Sequence, residues 1–431
     1  MRHFWPITFC LIALSFVSII NILSLGVQTD GSIDLTELFL KHLTFILIGW
    51  TVYIVFSKID YSIFKFIQTN VIFYLATLFL LIATILWGPV INNTQRWLLL
   101  GEFQFQPSEM AKVAIILVTA SLFTYRNRFN ETYLLLISFV LLLPLLSIIY
   151  IQPHGSMSII IFLLWSILII SIMKNQLRNL LLFLLAFSSI ASVLTFFFQG
   201  YLYFGLSISA LIVIIVFAYY ARESWRKMLI FTTIIGISIG ILISITWNSL
   251  LLDYQKERIN AFFNPTETSQ SLGFNVDQSR VAIGSGRIFG KGWGLGTQSK
   301  LQFLPEYQTD FIFATFSEEF GLVGSFILIG IYSFLIFSIL IVAFKSYKMY
   351  FEFVVLIGVG VKIFLEVFVN IGTNTGVIPA TGIPLPLMSI GGTSILFFFF
   401  SLGLVQSIIS NNNENYRELK YSHVDNDEVI I

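Results

Sequence analysis

Twelve predominantly apolar stretches, most near the length of a membrane span, leave this chain few ways to fold. They lie near residues 5–27, 39–57, 70–90, 109–124, 132–151, 155–173, 177–198, 201–220, 226–248, 312–344, 350–371 and 385–409. A run of about 20 apolar residues matches the hydrocarbon thickness of a bilayer when it is helical. Several of these runs are short or joined by tight turns, so the range is ten to twelve spans. The alternative, buried helices of a large soluble protein, fails on composition. The chain is 57% hydrophobic and 11% charged, whereas a soluble domain carries roughly 25% charged residues. Lipid must therefore cover much of the surface. The expected class is an all-α polytopic membrane protein of 10–12 transmembrane helices with one long extracellular loop.

The formal charge of +1 excludes a strongly basic chain and argues against a nucleic-acid partner. The one cysteine, Cys10, excludes an intrachain disulfide and a multi-cysteine metal site. Met1 to Val27 reads as a retained first span, because its apolar run is too long for a signal-peptide core and lacks a clear cleavage site.

Loop charge gives an orientation. One set of loops holds Arg2, Lys58, Lys65, Arg126, Arg128, Lys174, Arg178, Arg222, Arg226, Lys227, Lys345, Lys348, Arg417 and Lys420; the short loops of the other set hold only Lys41 and Arg96. Positive residues stay on the cytoplasmic side of short loops. With twelve spans both termini are cytoplasmic, and the stretches 91–108, 249–311 and 372–384 face outward. The chain then divides into an N-terminal bundle (1–248), a long extracellular loop (249–311), C-terminal transmembrane helices (312–409) and a cytoplasmic tail (410–431) expected to be disordered.

The long loop ends in the run Gly284 to Phe311, GSGRIFGKGWGLGTQSKLQFLPEYQTDF. Glycines interleaved with Arg287, Lys291 and Lys300 suit a phosphate group, which needs backbone N–H donors and positive charge. A flexible, solvated loop has the same composition, and no Walker motif is present. Asp310 closes the loop at the membrane boundary. Partial desolvation there favours a general base; an Asp in that place also suits a helix cap. Both readings stand on the pattern.

Charges inside spans usually pair or line a cavity. Glu109 and Lys112 are three apart, and Lys362 and Glu366 four apart, so each pair shares a helical face. Arg96 and Trp97 suit the headgroup level. The stretch Asn370 to Thr393, NIGTNTGVIPATGIPLPLMSIGGT, holds Pro379, Pro384 and Pro386 among five glycines and cannot be one helix. Irregular backbone at this depth needs protein around it or a wet cavity, which predicts a re-entrant segment over 372–393. His154, at a tight turn, reads as structural.

Four blocks together resemble the SEDS family (shape, elongation, division and sporulation), the RodA/FtsW/SpoVE group. They are TQRWLLLGEFQFQPSEMAK at 94–112, DYQKERINAFFNP at 253–265, QSRVAIGSGRIFGKGWGLGTQSKLQFLPEYQTDFIFATFSEEFGLVG at 278–324 and NIGTNTGVIPATGIPLPLMSIGGTS at 370–394. They occur in family order over about a quarter of the chain, and Gly296 to Ser299 is closer to the RodA branch. The resemblance implies a peptidoglycan glycosyltransferase of the bacterial cytoplasmic membrane, serving cell-wall biogenesis in elongation or division. It implies lipid II as substrate and a class B penicillin-binding protein as partner. It implies that Asp310, in the match to LPExxTDF, is the catalytic carboxylate. It also implies that Arg96, Trp97, Glu109, Lys112, Arg258, Arg280, Lys300 and Glu306 surround the active cavity. There is no defined metal cage, although a divalent ion could assist.

Two departures bear on this. The family has QPDLGT where this chain has QPHGS, Gln152 to Ser156, so an acid is replaced by His and the turn is one residue shorter. The family has ten spans, which places a surplus helical hairpin within 174–227; two added spans preserve the orientation of every later span. The rival readings are a lipid II flippase and a non-catalytic scaffold for the penicillin-binding protein. The orientation itself is testable with topology reporters. A reporter fused near Gly273 is expected outside the membrane and one near Arg222 inside, and a cytoplasmic signal at Gly273 would overturn the arrangement.

Overall fold

The computed structural model describes residues 4–27, 37–91, 94–101, 103–197, 201–221, 225–245, 256, 262, 272–300, 304 and 306–427. The apolar runs become helices: α1 (Trp5–Ser24), α2 (Glu37–Lys58), α3 (Ile67–Trp87), α4 (Pro107–Phe123), α5 (Glu131–Ile151), α6 (Gly155–Ile172), α7 (Gln176–Phe197), α8 (Tyr201–Ala221) and α9 (Arg226–Ile245). After these come α10 (Leu272–Ser285), the four-residue α11 (Thr297–Lys300), α12 (Ile312–Lys345), α13 (Tyr350–Thr375) and α14 (Gly392–Asp427). Ten of the described helices are long and apolar enough to cross a membrane. The two remaining candidates are α4, at 17 residues, and α8, whose apolar core is Phe204–Val216.

Local chemistry sets several boundaries. Pro107 opens α4, where a missing N–H costs nothing. Asn130 caps α5 through its side chain, accepting from the Thr132 N–H at 3.2 Å. Hydroxyls inside the spans bond their own helix: Thr77 and Thr84 donate to the Phe73 and Leu80 carbonyls at 2.8 and 2.7 Å, which satisfies these buried groups.

Two compact units emerge, residues 1–168 with 273–431, and residues 169–272. In the first, α2 packs along α14, α12 along α13, and α4 against α3, α5, α13 and α14. Every residue of α4 is buried, as expected of a helix with no lipid-facing side. In the second, α7 packs on both α8 and α9. Leu181, Leu185, Trp225 and Leu229 form its core, while Leu206, Val213, Phe231 and Leu242 are exposed, as lipid contact requires. The segment 174–227, expected to hold an added hairpin, contains α7 and α8.

Three expectations change. The stretch 249–311 is not loop throughout: α10 lies within it, and Val276, Ser279, Ala282 and Ile283 repeat at helical spacing toward Leu304, Phe311 and Ala314. The stretch 94–106 contains an antiparallel hairpin, β1 (Leu98–Leu100) with β2 (Phe103–Phe105), turning at Gly101. The tail expected to be disordered continues α14 to Asp427.

The α12 helix is broken at Gly321, whose φ of 66° and ψ of −164° are not helical. The break would orphan four backbone groups. The loop after α10 satisfies them: Lys291 and Gly292 N–H donate to the Glu318 and Glu319 carbonyls, each at 3.0 Å, and the Arg287 and Ile288 carbonyls accept from Leu322 and Val323 N–H at 2.9 and 3.1 Å. Such a crossing needs backbones in contact. A Cβ on Gly321 would run into the Gly290 nitrogen, and one on Gly290 into the Glu319 carbonyl. Gly321→Ala is therefore expected to lower the thermal midpoint of the detergent-solubilised protein, with at least about 1–3 kcal/mol from backbone strain alone. Gly330→Ala, where an added methyl meets nothing within 4 Å, is the control and should leave the midpoint near wild type.

Candidate active site at the Asp310 turn

Asp310 lies in the last turn before α12, and it is half-buried. The turn is tight: the Glu306 carbonyl accepts from the N–H groups of Thr309, Asp310 and Phe311 at 3.1, 3.1 and 3.2 Å. Glu306 has a φ of 52° and its carboxylate accepts from the Thr309 hydroxyl at 3.0 Å. The cap reading of Asp310 does not hold. Phe311 is the N-cap residue and makes no side-chain cap bond. The Ala314 N–H in the first turn is instead met by Asn374 Oδ1 at 3.0 Å, a cap delivered from another helix.

Two elements grip this turn by its backbone. Asn370 and Asn374, on α13, donate their side-chain amides to the Asp310 carbonyl at 3.0 and 2.9 Å. Ser389, in the irregular segment before α14, donates to the Thr309 carbonyl at 2.6 Å, and the Ile390 N–H donates to Gln308 at 3.0 Å. Asn370 also bonds the Ile383 carbonyl at 2.8 Å, which ties the Pro/Gly segment to the same helix. The residues 376–391 are non-helical apart from short turns, and their irregular backbone is held by Asn370, Ser389, the Tyr332 hydroxyl on Pro386 and the Ser18 hydroxyl on Leu387 at 2.8 Å. Asn370, Asn374 and Ser389 were not singled out from sequence. The two asparagines four apart at the end of an apolar helix were the available signal.

One turn toward the membrane interior on α13 lies an ion network. Lys112 pairs with Glu109 at 2.8 Å and with Glu366, and Lys362 pairs with Glu366 at 3.3 Å. The two pairs legible in the sequence are thus one cluster of two cations and two anions. All four side chains are buried, Glu109, Lys112 and Lys362 at 1% exposure. A lone charge there would be prohibitive, but the balanced cluster satisfies itself. Lys362, Glu366, Asn370 and Asn374 recur every four residues, so one polar stripe of α13 joins the cluster to the Asp310 turn.

The other sequence-derived residues fall around this centre in different ways. Arg280 donates Nε to the Thr375 carbonyl at 3.1 Å and Nη2 to Gly376 at 3.0 Å, a cation on the last carbonyls of α13. Ser279 adds a bond to the Asn374 carbonyl at 2.8 Å. Lys291 pairs with the buried Glu318. Arg287 is exposed. The Arg96 guanidinium donates to the Pro153 carbonyl, in the same QPHGS turn where Gln152 bonds the Leu81 carbonyl at 2.8 Å and His154 is buried. Trp97 is half-buried beside Arg96, just before β1. The hairpin after it is fixed to α14 by Thr393, whose hydroxyl accepts from the Gln106 N–H and donates to the Gln104 carbonyl, both at 3.0 Å. Arg258 lies outside the described residues, and of Lys300 only the backbone, in α11, is described. Among the described residues no group of three or more His, Cys, Asp or Glu is placed to hold a metal ion.

A half-buried carboxylate on a rigid turn, next to irregular backbone at the end of a membrane helix, is an arrangement in which a base can be presented to a lipid-anchored substrate. Comparison with known proteins gives it a family. The FtsW–RodA–SpoVE family model, described as a cell cycle protein, matches residues 2–203 and 202–414. The chain belongs to this family. Among its members, the peptidoglycan glycosyltransferase MrdB of Escherichia coli is 32% identical over 78% of this chain and 76% of its own length. The peptidoglycan glycosyltransferase RodA of Treponema pallidum is 30% identical over 92% of this chain and 95% of its own. In fold, the chain matches a solved structure described as showing structural coordination of polymerization and crosslinking by a peptidoglycan synthase complex. The TM-score is 0.68 at 21% identity, over 95% of this chain and 98% of that one. The rod shape determining protein RodA of Thermus thermophilus matches with a TM-score of 0.57 at 19% identity, over 95% and 97%. The family's multi-span helical fold is therefore this chain's fold.

The ion network yields a measurable consequence. Lys112→Met leaves Glu109 without its cation in a buried site and is expected to cost about 3–5 kcal/mol of stability, read as a lower thermal midpoint in detergent. Adding Glu109→Gln removes the stranded charge and leaves the Lys362–Glu366 pair balanced, so the double variant should regain part of that loss. A double variant less stable than Lys112→Met would refute the charge-balance account.

Proposed function

We propose that this protein is a peptidoglycan glycosyltransferase that polymerises lipid II into glycan strands at the outer face of the bacterial cytoplasmic membrane. Asp310 is its general base. Both termini lie in the cytoplasm, and a class B penicillin-binding protein is the partner that crosslinks the product. The observation that carries the reading is the Asp310 turn. Its backbone is clamped by Asn370, Asn374, Ser389 and Ile390, in a chain whose relatives are named for this reaction.

The chemistry follows from that placement. The lipid tail keeps the substrate in the bilayer, so donor and acceptor reach the site from the membrane. The Asp310 carboxylate takes the proton of the acceptor's sugar 4-hydroxyl as that oxygen attacks C1 of the donor sugar. The C1–oxygen bond to the lipid pyrophosphate breaks, and the configuration at C1 inverts. Negative charge collects on the departing pyrophosphate, where a nearby cation stabilises the transition state. Of Arg96, Arg287 and Lys291, the side chains of Arg96 and Lys291 have partners within the protein. Arg287 is exposed and its guanidinium makes no bond among the described residues, so it is the preferred candidate. A divalent cation carried by the pyrophosphate itself is compatible with this chemistry, and assays with and without a chelator measure its share.

Asp310→Asn preserves size and backbone bonding but removes the base. Purified with its penicillin-binding partner, whose own transferase is absent or disabled, this variant should form no polymer from lipid II in detergent while retaining the wild-type thermal midpoint. Near-normal polymer would sink the assignment. Because flipping has no meaning in detergent, polymer made by the wild type also excludes the flippase and scaffold readings.

A further inference from the structure

We propose that Glu318 is a positioning residue for this reaction: its buried carboxylate fixes where the glycine-rich loop lies relative to the Asp310 turn. The inference rests on the function proposed above. Glu318 sits on the half-helix 312–320, between the Asp310 turn and the break at Gly321, and it is 0% exposed. Its Oε1 accepts from Lys291 Nζ, from the Thr297 N–H at 3.0 Å and from the Thr297 hydroxyl at 2.8 Å. Its Oε2 accepts from the Gln298 N–H at 3.2 Å, and the Ser285 hydroxyl reaches Oε1 at 3.4 Å. Lys291 Nζ donates as well to the Thr297 hydroxyl at 2.7 Å, closing a triangle around the carboxylate.

One carboxylate thus collects the end of α10, the middle of the glycine-rich loop and the start of α11. Those three points enclose residues 286–296, including Arg287. The half-helix they are tied to is the one held at its other end by Asn374 on Ala314. The Glu318 carboxylate is buried among Ser285, Lys291, Thr297 and Gln298, so it acts through these groups. Its effect is on geometry: it joins the segment bearing the proposed phosphate partner, Arg287, to the segment bearing the proposed base. Charge-assisted bonds of this kind are about twice as strong as neutral ones. A displacement on the order of 1 Å in a reacting assembly can cost about a hundredfold in rate.

The test compares wild type, Glu318→Gln, Lys291→Met and Asp310→Asn, each as full-length protein with its penicillin-binding partner in detergent. Initial polymerisation rates are measured over a range of lipid II concentrations, alongside thermal midpoints. Glu318→Gln keeps the side chain's length and two acceptor–donor contacts but loses the charge that binds Lys291. For it we expect kcat to fall about tenfold or more with KM changed by less than about threefold, at a thermal midpoint near wild type. If Glu318→Gln does not fold, Lys291→Met, which leaves Glu318 its bonds from Thr297 and Gln298, decides by the same split. Wild-type kcat in a folded variant, or a loss of rate matched by loss of folded protein, overturns the positioning role. An inactive Asp310→Asn beside a fully active Glu318→Gln discards only this inference; a fully active Asp310→Asn discards the proposed base and this inference with it.

Discussion

Lys362, Glu366, Asn370 and Asn374 recur every four residues along α13, and all are buried. The rest of the site hangs from this stripe. Its lower half completes the ion network with Glu109 and Lys112 of α4, so two helices are locked together by charges that would each be intolerable alone. Its upper half turns from charge to amide, and the amides grip the Asp310 carbonyl, the Ala314 N–H and the Ile383 carbonyl. A polar stripe in lipid has to be satisfied by protein, and here the groups that satisfy it are the ones that build the site.

The same constraint governs the broken helix. Where α12 departs from helical geometry at Gly321, the freed carbonyls and N–H groups are taken by the loop from Arg287 to Gly292. The glycines of that loop first suggested a phosphate cradle. In the fold, Gly290 has a structural reason of its own, since it must pass against the backbone of α12. Lys291 likewise answers a buried carboxylate, Glu318, rather than solvent. Of the loop's described cationic side chains, that leaves Arg287 as the exposed one, which is why it is the proposed partner of a pyrophosphate.

The clamps on the Asp310 turn act on backbone atoms. Asn370, Asn374 and Ser389 bond carbonyls, leaving side-chain direction to the local turn. The irregular Pro/Gly stretch before α14 supplies Ser389 and Ile390 without placing a regular helix across the site. The QPHGS turn, where this chain departs from its family's usual motif, also has a structural anchor here. Gln152 bonds the Leu81 carbonyl, and Arg96 bonds Pro153; the buried His154 sits between these anchored residues and α6.

By itself the sequence determined that this chain crosses a membrane many times, because apolar runs of span length admit no other environment. It also placed the charged pairs Glu109–Lys112 and Lys362–Glu366 on shared helix faces, since helical spacing is a local property. Asp310 stood out through its motif and its place at the end of an apolar run. The fusion of the two pairs into one cluster was beyond sequence reach, because Lys112 and Glu366 are brought together only by packing of α4 on α13. So was the cap on α12, whose acceptor is Asn374 Oδ1 rather than a side chain of its own turn. The helix α10 and the hairpin β1–β2 were missed, although Val276, Ala282 and Ile283 lie at helical spacing, because the polar and glycine-rich sequence around them reads as loop. What tertiary structure decided about Asp310 is how its turn is held: the amides of α13, the Ser389 hydroxyl and the Ile390 N–H fix the turn's backbone.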